Sequence, residues 1–485
     1  MTAIVAGQDR RSGSGSEPAV PPRVALAALA LAMLLSSLGT SIANVALPAL
    51  AEAFGASFQQ VQWIMLSYLL AVTTLVVSAG RLGDLVGRRR LLLAGIALFT
   101  LASALCGIAP TLTLLIAARS AQGLGAAVMM ALAMAFVGDT VPKERTGSAM
   151  GLLGTMSAAG TALGPSLGGL LLAGPGWRAI FLINVPLGLL AGFLAWHHLP
   201  LDREGRTAGA RAFDLRGTLL LALTLGAYSL AMTSGGGSFG ALNLALLASA
   251  AVGVILFRRA QAGAGSPLIP LAMLSDPALS ASLAMGALVS TVVMATLVVG
   301  PFYLAGTLGL EAAAAGLALS VGPLAAALTT APAGAIADRF GARRGTMLGL
   351  AAMAAGSLAL AAMPEAFGLS GYLAAVVAIT IGYALFQTAN NKAAMTAVGP
   401  DRRGVASGLV QLSRNLGLVT GASVMGAVFA FGSGASAAAG AAPELVAQGM
   451  RSTFAVATFL VAIALAIATV AGARAARQAL PPEAA

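Results

Sequence analysis

Long apolar runs dominate this chain, and only short polar segments separate them. About 20 apolar residues cross the hydrocarbon core of a bilayer as a helix, a form that satisfies every backbone polar group internally. The runs therefore predict fourteen spans, near residues 24–50, 59–79, 91–109, 111–137, 149–173, 178–198, 216–234, 241–257, 278–306, 312–337, 345–363, 369–393, 404–431 and 451–473. The first run, Val24 to Leu50, is too long for a signal-peptide core and lacks a small-residue cleavage site before a hydrophilic domain. It is predicted to be the first span. Residues 1–22 carry Arg10 and Arg11 in a Gly/Ser stretch, followed by Pro18, Pro21 and Pro22, and are predicted to be a disordered cytoplasmic segment.

Composition supports lipid as the main solvent. Hydrophobic residues make up 58% of the 485 positions and charged residues 9%, and mean hydropathy is +0.91. A soluble domain of this size needs far more charged surface. The net charge of +11 does not indicate a nucleic-acid partner, because Lys and Arg fall between apolar runs and never form a basic arm. They do orient the chain. Cytoplasmic loops collect Lys and Arg, and with the N-terminus inside, only Arg178 and Arg451 fall outside and only Arg119 and Arg414 fall within spans. Both termini are then cytoplasmic. The longest polar loop, roughly Leu199 to Leu215, leaves no room for an ATPase or other catalytic domain. Cys106, the single cysteine, lies in an apolar run and excludes an intrachain disulfide.

The chain also repeats itself. Gly80-Arg81-Leu82-Gly83-Asp84-Leu85-Val86-Gly87-Arg88-Arg89-Arg90 joins the second and third spans, and Gly334-Ala335-Ile336-Ala337-Asp338-Arg339-Phe340-Gly341-Ala342-Arg343-Arg344 joins the spans at 312–337 and 345–363. Gly, Asp, Gly and the two final Arg align at a constant offset. The next loops echo each other, with Pro142-Lys143-Glu144-Arg145 answered by Pro400-Asp401-Arg402-Arg403. The predicted organisation is an N-terminal six-helix bundle over 23–200, a loop with two inserted helices over 201–265, a C-terminal six-helix bundle over 266–475, and a cytoplasmic tail over 476–485. Duplicated bundles place a substrate site between them near the midplane, exposed to each side in turn.

These motifs carry a family resemblance over essentially everything after residue 22. Gly80 to Arg90 resembles the cytoplasmic signature of the major facilitator superfamily, and Arg119-Ser120-Ala121-Gln122-Gly123-Leu124-Gly125 its fourth-helix motif. Gly160-Thr161-Ala162-Leu163-Gly164-Pro165-Ser166-Leu167-Gly168-Gly169 resembles the antiporter motif of helix five, and Trp177-Arg178-Ala179-Ile180-Phe181-Leu182-Ile183-Asn184-Val185-Pro186-Leu187-Gly188 resembles the start of helix six in the fourteen-span drug:proton antiporter branch. The resemblance implies an all-α integral membrane fold of two six-helix bundles plus two extra central helices. It also implies export of small amphiphilic molecules across the cell membrane. No cofactor is implied, and a proton gradient is the expected energy source. The expected partners are the bilayer and a small-molecule substrate, with no nucleic acid, and the monomer is the expected working unit.

Gly83 removes a side chain where a tight loop meets a neighbouring helix, and Asp84 can accept from exposed backbone donors at a helix N-terminus. The resemblance implies a latch between the halves that favours the outward-facing state, built from Gly83, Asp84, Arg88 and Arg89, with Asp338 and Arg343 as the weaker counterpart. Topology enforcement also accounts for Arg88 to Arg90. Arg119 lies about eight residues inside the fourth span, where a charge is expensive and normally faces the bundle interior. The resemblance gives it a role in proton coupling, whereas the alternative is an Arg held by backbone carbonyls. Arg414 is weighed evenly between packing and substrate contact. Gly160, Gly164, Gly168 and Gly169 permit close helix approach, and Pro165 removes a backbone donor, which predicts a kinked gate rather than generic small-residue packing.

One departure stands out. The fourteen-span antiporters usually carry an acid shortly before an Asn-Val-Ala-Leu-Pro segment, and Gly39 stands there, ahead of Asn44-Val45-Ala46-Leu47-Pro48. None of the sixteen acidic residues lies deep in a predicted span, and His197 and His198 fall at an interface. Coupling through Asp84, Asp139 or water linked to Arg119 is the remaining route. A cavity with cations and no anion predicts neutral, zwitterionic or anionic amphiphiles. Candidate liners are Asn44, Gln62, Trp63, Tyr68, Met129, Gln387, Asn390 and Gln411, polar or adaptable groups within apolar helices. The alternatives are a major facilitator importer of a small metabolite and a non-transporting membrane sensor. No zinc spacing, phosphate loop or nucleophile-base pair supports an enzyme.

Overall fold

The computed structural model describes residues 22–140, 146–202, 214–234, 240–264, 267–269, 271–364, 367–399, 403–434 and 442–478. The N-terminal segment, the Pro142 and Pro400 loops and the tail beyond 478 fall outside these residues in whole or in part. The side chains of Asp139 and Asp338 fall outside them as well. Among the described residues the chain is helical without strands. The helices are α1 (Pro22–Ser41), α2 (Leu47–Phe54), α3 (Phe58–Val86), α4 (Arg88–Ile108), α5 (Leu112–Thr140), α6 (Thr146–Ala173), α7 (Trp177–Leu182) and α8 (Asn184–His198), then α9 (Leu215–Thr233) and α10 (Ala241–Gly263). They continue as α11 (Pro277–Gly306), α12 (Ala312–Phe340), α13 (Ala342–Ala362), α14 (Gly368–Thr396), α15 (Arg403–Thr420), α16 (Gly426–Gly432) and α17 (Pro443–Gln478). Thirteen of the described helical stretches are long and apolar enough to cross a bilayer, and α3, bent by 58° near its middle, makes fourteen.

Three predicted spans contain breaks. The first opens into turns over residues 42–46 before α2 begins, because Pro48 sits at the start of α2 with no N–H to continue a helix and a ring that obstructs the preceding turn. The sixth divides at Ile183 into α7 and α8. The thirteenth contains a π-helical turn, Gly421–Met425, between α15 and α16, and such turns free a carbonyl from the regular ladder. Pro165, in contrast, lies inside a continuous α6.

Helices α1 and α3 to α8 form one bundle and α11 to α17 a second. The pairs α1·α6, α3·α5, α4·α5, α4·α8 and α1·α8 pack in the first, and α11·α15, α12·α14, α13·α14, α13·α17 and α11·α17 in the second. These are the same five pairings shifted by the repeat. The bundles meet through α6·α12 and α3·α15, and α9 packs on both α3 and α10. Large apolar side chains point outward, among them Leu101, Leu105 and Ile108 on α4 and Leu242, Val252 and Ile255 on α10. In water such a belt would drive aggregation, whereas lipid solvates it. One end of the helices carries the Arg-rich hairpins and is called the basic end; the other is the outer end.

Candidate functional site

In the 80–90 hairpin the acid and the arginines after it bond within the first half, while Arg81 Nη2 donates to the Pro267 carbonyl of the second at 2.8 Å. Gly83 is buried, and a methyl group there would lie 2.6 Å from Leu132 Cδ2 on α5, so a side chain would have to displace the end of Leu132. Gly87 turns the chain at φ 106°, and Gly341 turns the second hairpin at φ 85°. Both lie in the region that favours glycine, so the repeat extends to backbone conformation. Asp84 Oδ1 accepts from Arg88 Nε at 2.9 Å and pairs with Arg88 Nη2 at 2.8 Å. Arg89 donates Nη2 to the Trp196 carbonyl and stacks over the Trp196 ring at 5.3 Å. Arg343 lies against Gly472 on α17, in the second bundle.

Asp202 was not singled out by sequence. Its carboxylate caps α4, accepting from the backbone N–H of Arg89 at 2.8 Å and of Arg90 at 3.2 Å. Two charge-assisted bonds to orphan helix donors hold this turn. A local signal existed, an acid directly after the sixth span, but its partner lies more than a hundred residues upstream.

Arg119 is 1% exposed. Its Nε donates to the Ile64 carbonyl at 3.1 Å and Nη1 to Gln122 Oε1, while its guanidinium lies 4.2 Å from the Tyr68 ring centroid. Gln122 Nε2 donates to Ser103 Oγ at 2.7 Å, and the Tyr68 hydroxyl to the Ser36 carbonyl at 2.8 Å. Nη2 is buried without a partner. Four elements of the first bundle thus converge on one cation with no carboxylate, and dipoles and a ring face compensate its desolvation.

The glycines of α6 serve two faces. Gly160, Gly164 and Gly168 press on α1, where added methyl groups would meet Leu34, Ser41 and Ile42. Ser41 Oγ donates to the Gly160 carbonyl at 3.2 Å, and Ser37 and Ser157 share a 2.6 Å hydroxyl bond. Gly169 turns to the other bundle. A methyl there would lie 2.6 Å from the Ala312 carbonyl oxygen and 2.9 Å from Gly316 Cα on α12, and the Pro165 carbonyl crowds Gly316 in turn. Nearby, Phe58 packs at 4.9 Å from Phe302 and 5.1 Å from Phe429. Gln62 Nε2 donates to the Ala422 carbonyl in the π-turn and fills the space over Gly426. These contacts between bundles gather at the outer end.

The candidate liners separate accordingly. Gln62 joins the bundles. Trp63 Nε1 donates to Thr233 Oγ1 of α9 at 3.1 Å. Tyr68 and Met129 are packed in the core of the first bundle. Asn44 is buried in the 42–46 turn with both amide atoms unpartnered, and Gln411 donates to Asn415 Oδ1 at 3.2 Å. Gln387, Asn390 and Arg414 come together, lining a small cleft between α11, α14 and α15. No Asp or Glu is among the residues that line it.

A lipid-facing pair of duplicated helical bundles with a polar, unacidic cleft is the architecture of a membrane transporter. The particular family follows from comparison: residues 29–422 match the model of the Major Facilitator Superfamily, and the chain belongs to it. It is 34% identical over 408 residues to the multidrug resistance protein Stp of Mycobacterium tuberculosis, covering 84% of this chain and 75% of Stp. It is 29% identical over 410 residues to the riboflavin transporter RibZ of Clostridioides difficile, covering 84% and 88% respectively. Among solved structures, a bacterial homologue of the human lysosomal transporter Spinster, inward-facing and unoccupied, superposes with a TM-score of 0.71 at 16% identity over 96% of this chain and all of that one. The chain is thus a multi-pass membrane transporter of small molecules, similar to the drug-efflux branch.

Proposed function

We propose that this protein exports small neutral, zwitterionic or anionic amphiphiles from the cell by proton antiport, rocking its two bundles so that the polar cleft of the second bundle is exposed to each side in turn. The basic end faces the cytoplasm, and the monomer, set in the cell membrane, is the working unit. The observation that carries this proposal is the uneven closure of the bundle pair. Gly169 meets Gly316, and Phe58 meets Phe302 and Phe429, at the outer end, while Asp84 is paired with Arg88 inside its own bundle. That arrangement supports an inward-open reading, in which cytoplasmic substrate reaches the cleft and the latch is not engaged. Export as the direction draws support from the helix-five glycine motif and the likeness to Stp.

The test is uptake into inverted membrane vesicles with a panel of anionic, neutral and permanently cationic amphiphiles, with and without a protonophore. Accumulation of the anionic and neutral compounds that collapses with the gradient is expected. Accumulation confined to permanent cations would refute the substrate class, and accumulation indifferent to the protonophore would refute the coupling. The likeness to RibZ supports a second possibility, a transporter dedicated to one metabolite. That alternative predicts saturable flux of a single compound and none of the others.

A further inference from the structure

We propose that Arg414 and Asn390 form a subsite that binds the carboxylate of an amphiphilic substrate together with an adjacent hydroxyl or N–H of the same molecule. The proposal deepens the exporter assignment above and rests on it. Arg414 has no ion pair, hydrogen bond or aromatic partner among the described residues, and its Nε is buried and unfilled. Facing the same cleft from α14, Asn390 is 3% exposed. Its Nδ2 donates to the Ser282 carbonyl at 3.0 Å, which fixes the amide orientation and leaves Oδ1 as a buried acceptor with no donor.

A half-buried guanidinium whose Nε has no acceptor, and a buried amide oxygen with no donor, leave hydrogen-bonding capacity unmet in one cleft. A ligand carrying an anionic oxygen and a neighbouring donor satisfies both at once. Ser290, Tyr383 and Gln387 extend the same wall with neutral polar groups, and no acid there competes for the guanidinium. Gly286 opens the floor, since a methyl there would stand at ordinary contact, 3.6 Å from Ser413 Oγ and 3.7 Å from Asn390 Nδ2, and a larger side chain would occupy the space. Arg414 precedes Ala422 by about 12 Å of helix rise, so the subsite lies on the basic side of the Gln62–Ala422 contact that joins the bundles. A substrate entering from the basic end meets it before the outer closure.

The experiment uses the purified full-length protein in nanodiscs and measures binding of cholate, which has a carboxylate and hydroxyls, of its uncharged methyl ester, and of tetraphenylphosphonium. Wild type is expected to prefer cholate to the ester by about tenfold, the scale of one charge-assisted hydrogen bond. Arg414→Gln is expected to abolish that preference, and Arg414→Lys to retain part of it. Gly286→Leu, which leaves the charge in place and fills the cleft, is expected to weaken cholate and ester alike. Because the preference is a ratio within one sample, loss of folded protein does not imitate its loss. Equal binding of cholate and ester by wild type, no cholate binding, or a preference that survives Arg414→Gln would overturn the subsite. Vesicle flux separates the two proposals: flux without the charge preference retires the subsite and keeps the exporter, whereas charge-selective binding without flux does the reverse.

Discussion

At the scale of single residues, the most expensive group is Arg119, a cation with no counter-ion at the centre of the first bundle. Removing one member of such a network leaves the rest unsatisfied, while replacing both partners with apolar groups restores much of the loss. Gln122→Leu alone strips an acceptor from Arg119 and a donor from Ser103, and is expected to destabilise the protein by about 1.5–3 kcal/mol. Arg119→Met with Gln122→Leu is expected to unfold at a higher temperature than Gln122→Leu, yet to transport nothing. Thermal unfolding in detergent beside vesicle flux would check it, and a double variant with near-normal flux would reduce Arg119 to a packing element. Asp84, Arg119 and Arg414 were legible in the sequence because a charge in or beside an apolar run is conspicuous. The contacts of Arg119 with Ile64 and Tyr68 on α3 were not. Helical phase within one span cannot say that Met129 packs in a bundle core while Asn390 faces a cleft, since that depends on which other helix stands opposite.

At the scale of elements, hydropathy locates the spans because each must match the same thickness of hydrocarbon. It is blind to the interruptions at 42–46, at Ile183 and at 421–425, which keep their apolar composition while leaving the helical ladder. The function of α9 was equally illegible. In the structure its residues bond to both bundles: Thr218 shares a 3.0 Å hydroxyl bond with Ser78, Thr233 accepts from Trp63, and Ser229 accepts from Ser423 at 3.2 Å. The Asp214 carboxylate caps α9 through the Gly217 N–H at 2.8 Å and accepts from Gln261 of α10 at 2.7 Å, which ties the inserted hairpin together. Two of the contacts to the bundles lie at the outer end, so α9 acts as a splint across that closure. Ser229→Ala with Thr233→Val removes two hydrogen bonds worth about 1 kcal/mol each. The expected result is faster labelling of a cysteine placed at Phe58 by an impermeant thiol reagent, with expression unchanged. Labelling as slow as in the Phe58→Cys parent would leave α9 a mere tether.

At the scale of the whole molecule, the proposed rocking makes the two bundles a bistable pair whose two ends close by different chemistry. The outer end closes by backbone contact through Gly169 and Gly316, a fit that tolerates no added side chain. At the basic end the latch residues are occupied within the first bundle, Asp84 by Arg88 and Arg89 by Trp196. In the proposed cycle, closing that end exchanges the intra-bundle partner of Asp84 for donors on the second bundle, which makes the alternative state depend on its negative charge. The two ends should therefore respond to mutation with opposite sign. Gly169→Leu overfills the outer contact, which penalises the present conformer by about 1–3 kcal/mol and shifts the population toward outward-open. Asp84→Asn weakens only the latch and shifts the population toward the conformer described here. Spin labels placed one on each bundle, in pairs across the outer end and across the basic end, read both shifts as distances. In Gly169→Leu the outer pair is expected to lengthen and the basic pair to shorten, and in Asp84→Asn the reverse. Both variants should export poorly, because each traps one side of the cycle. Shifts of the same sign in the two variants would mean that the ends are not coupled by rigid rocking.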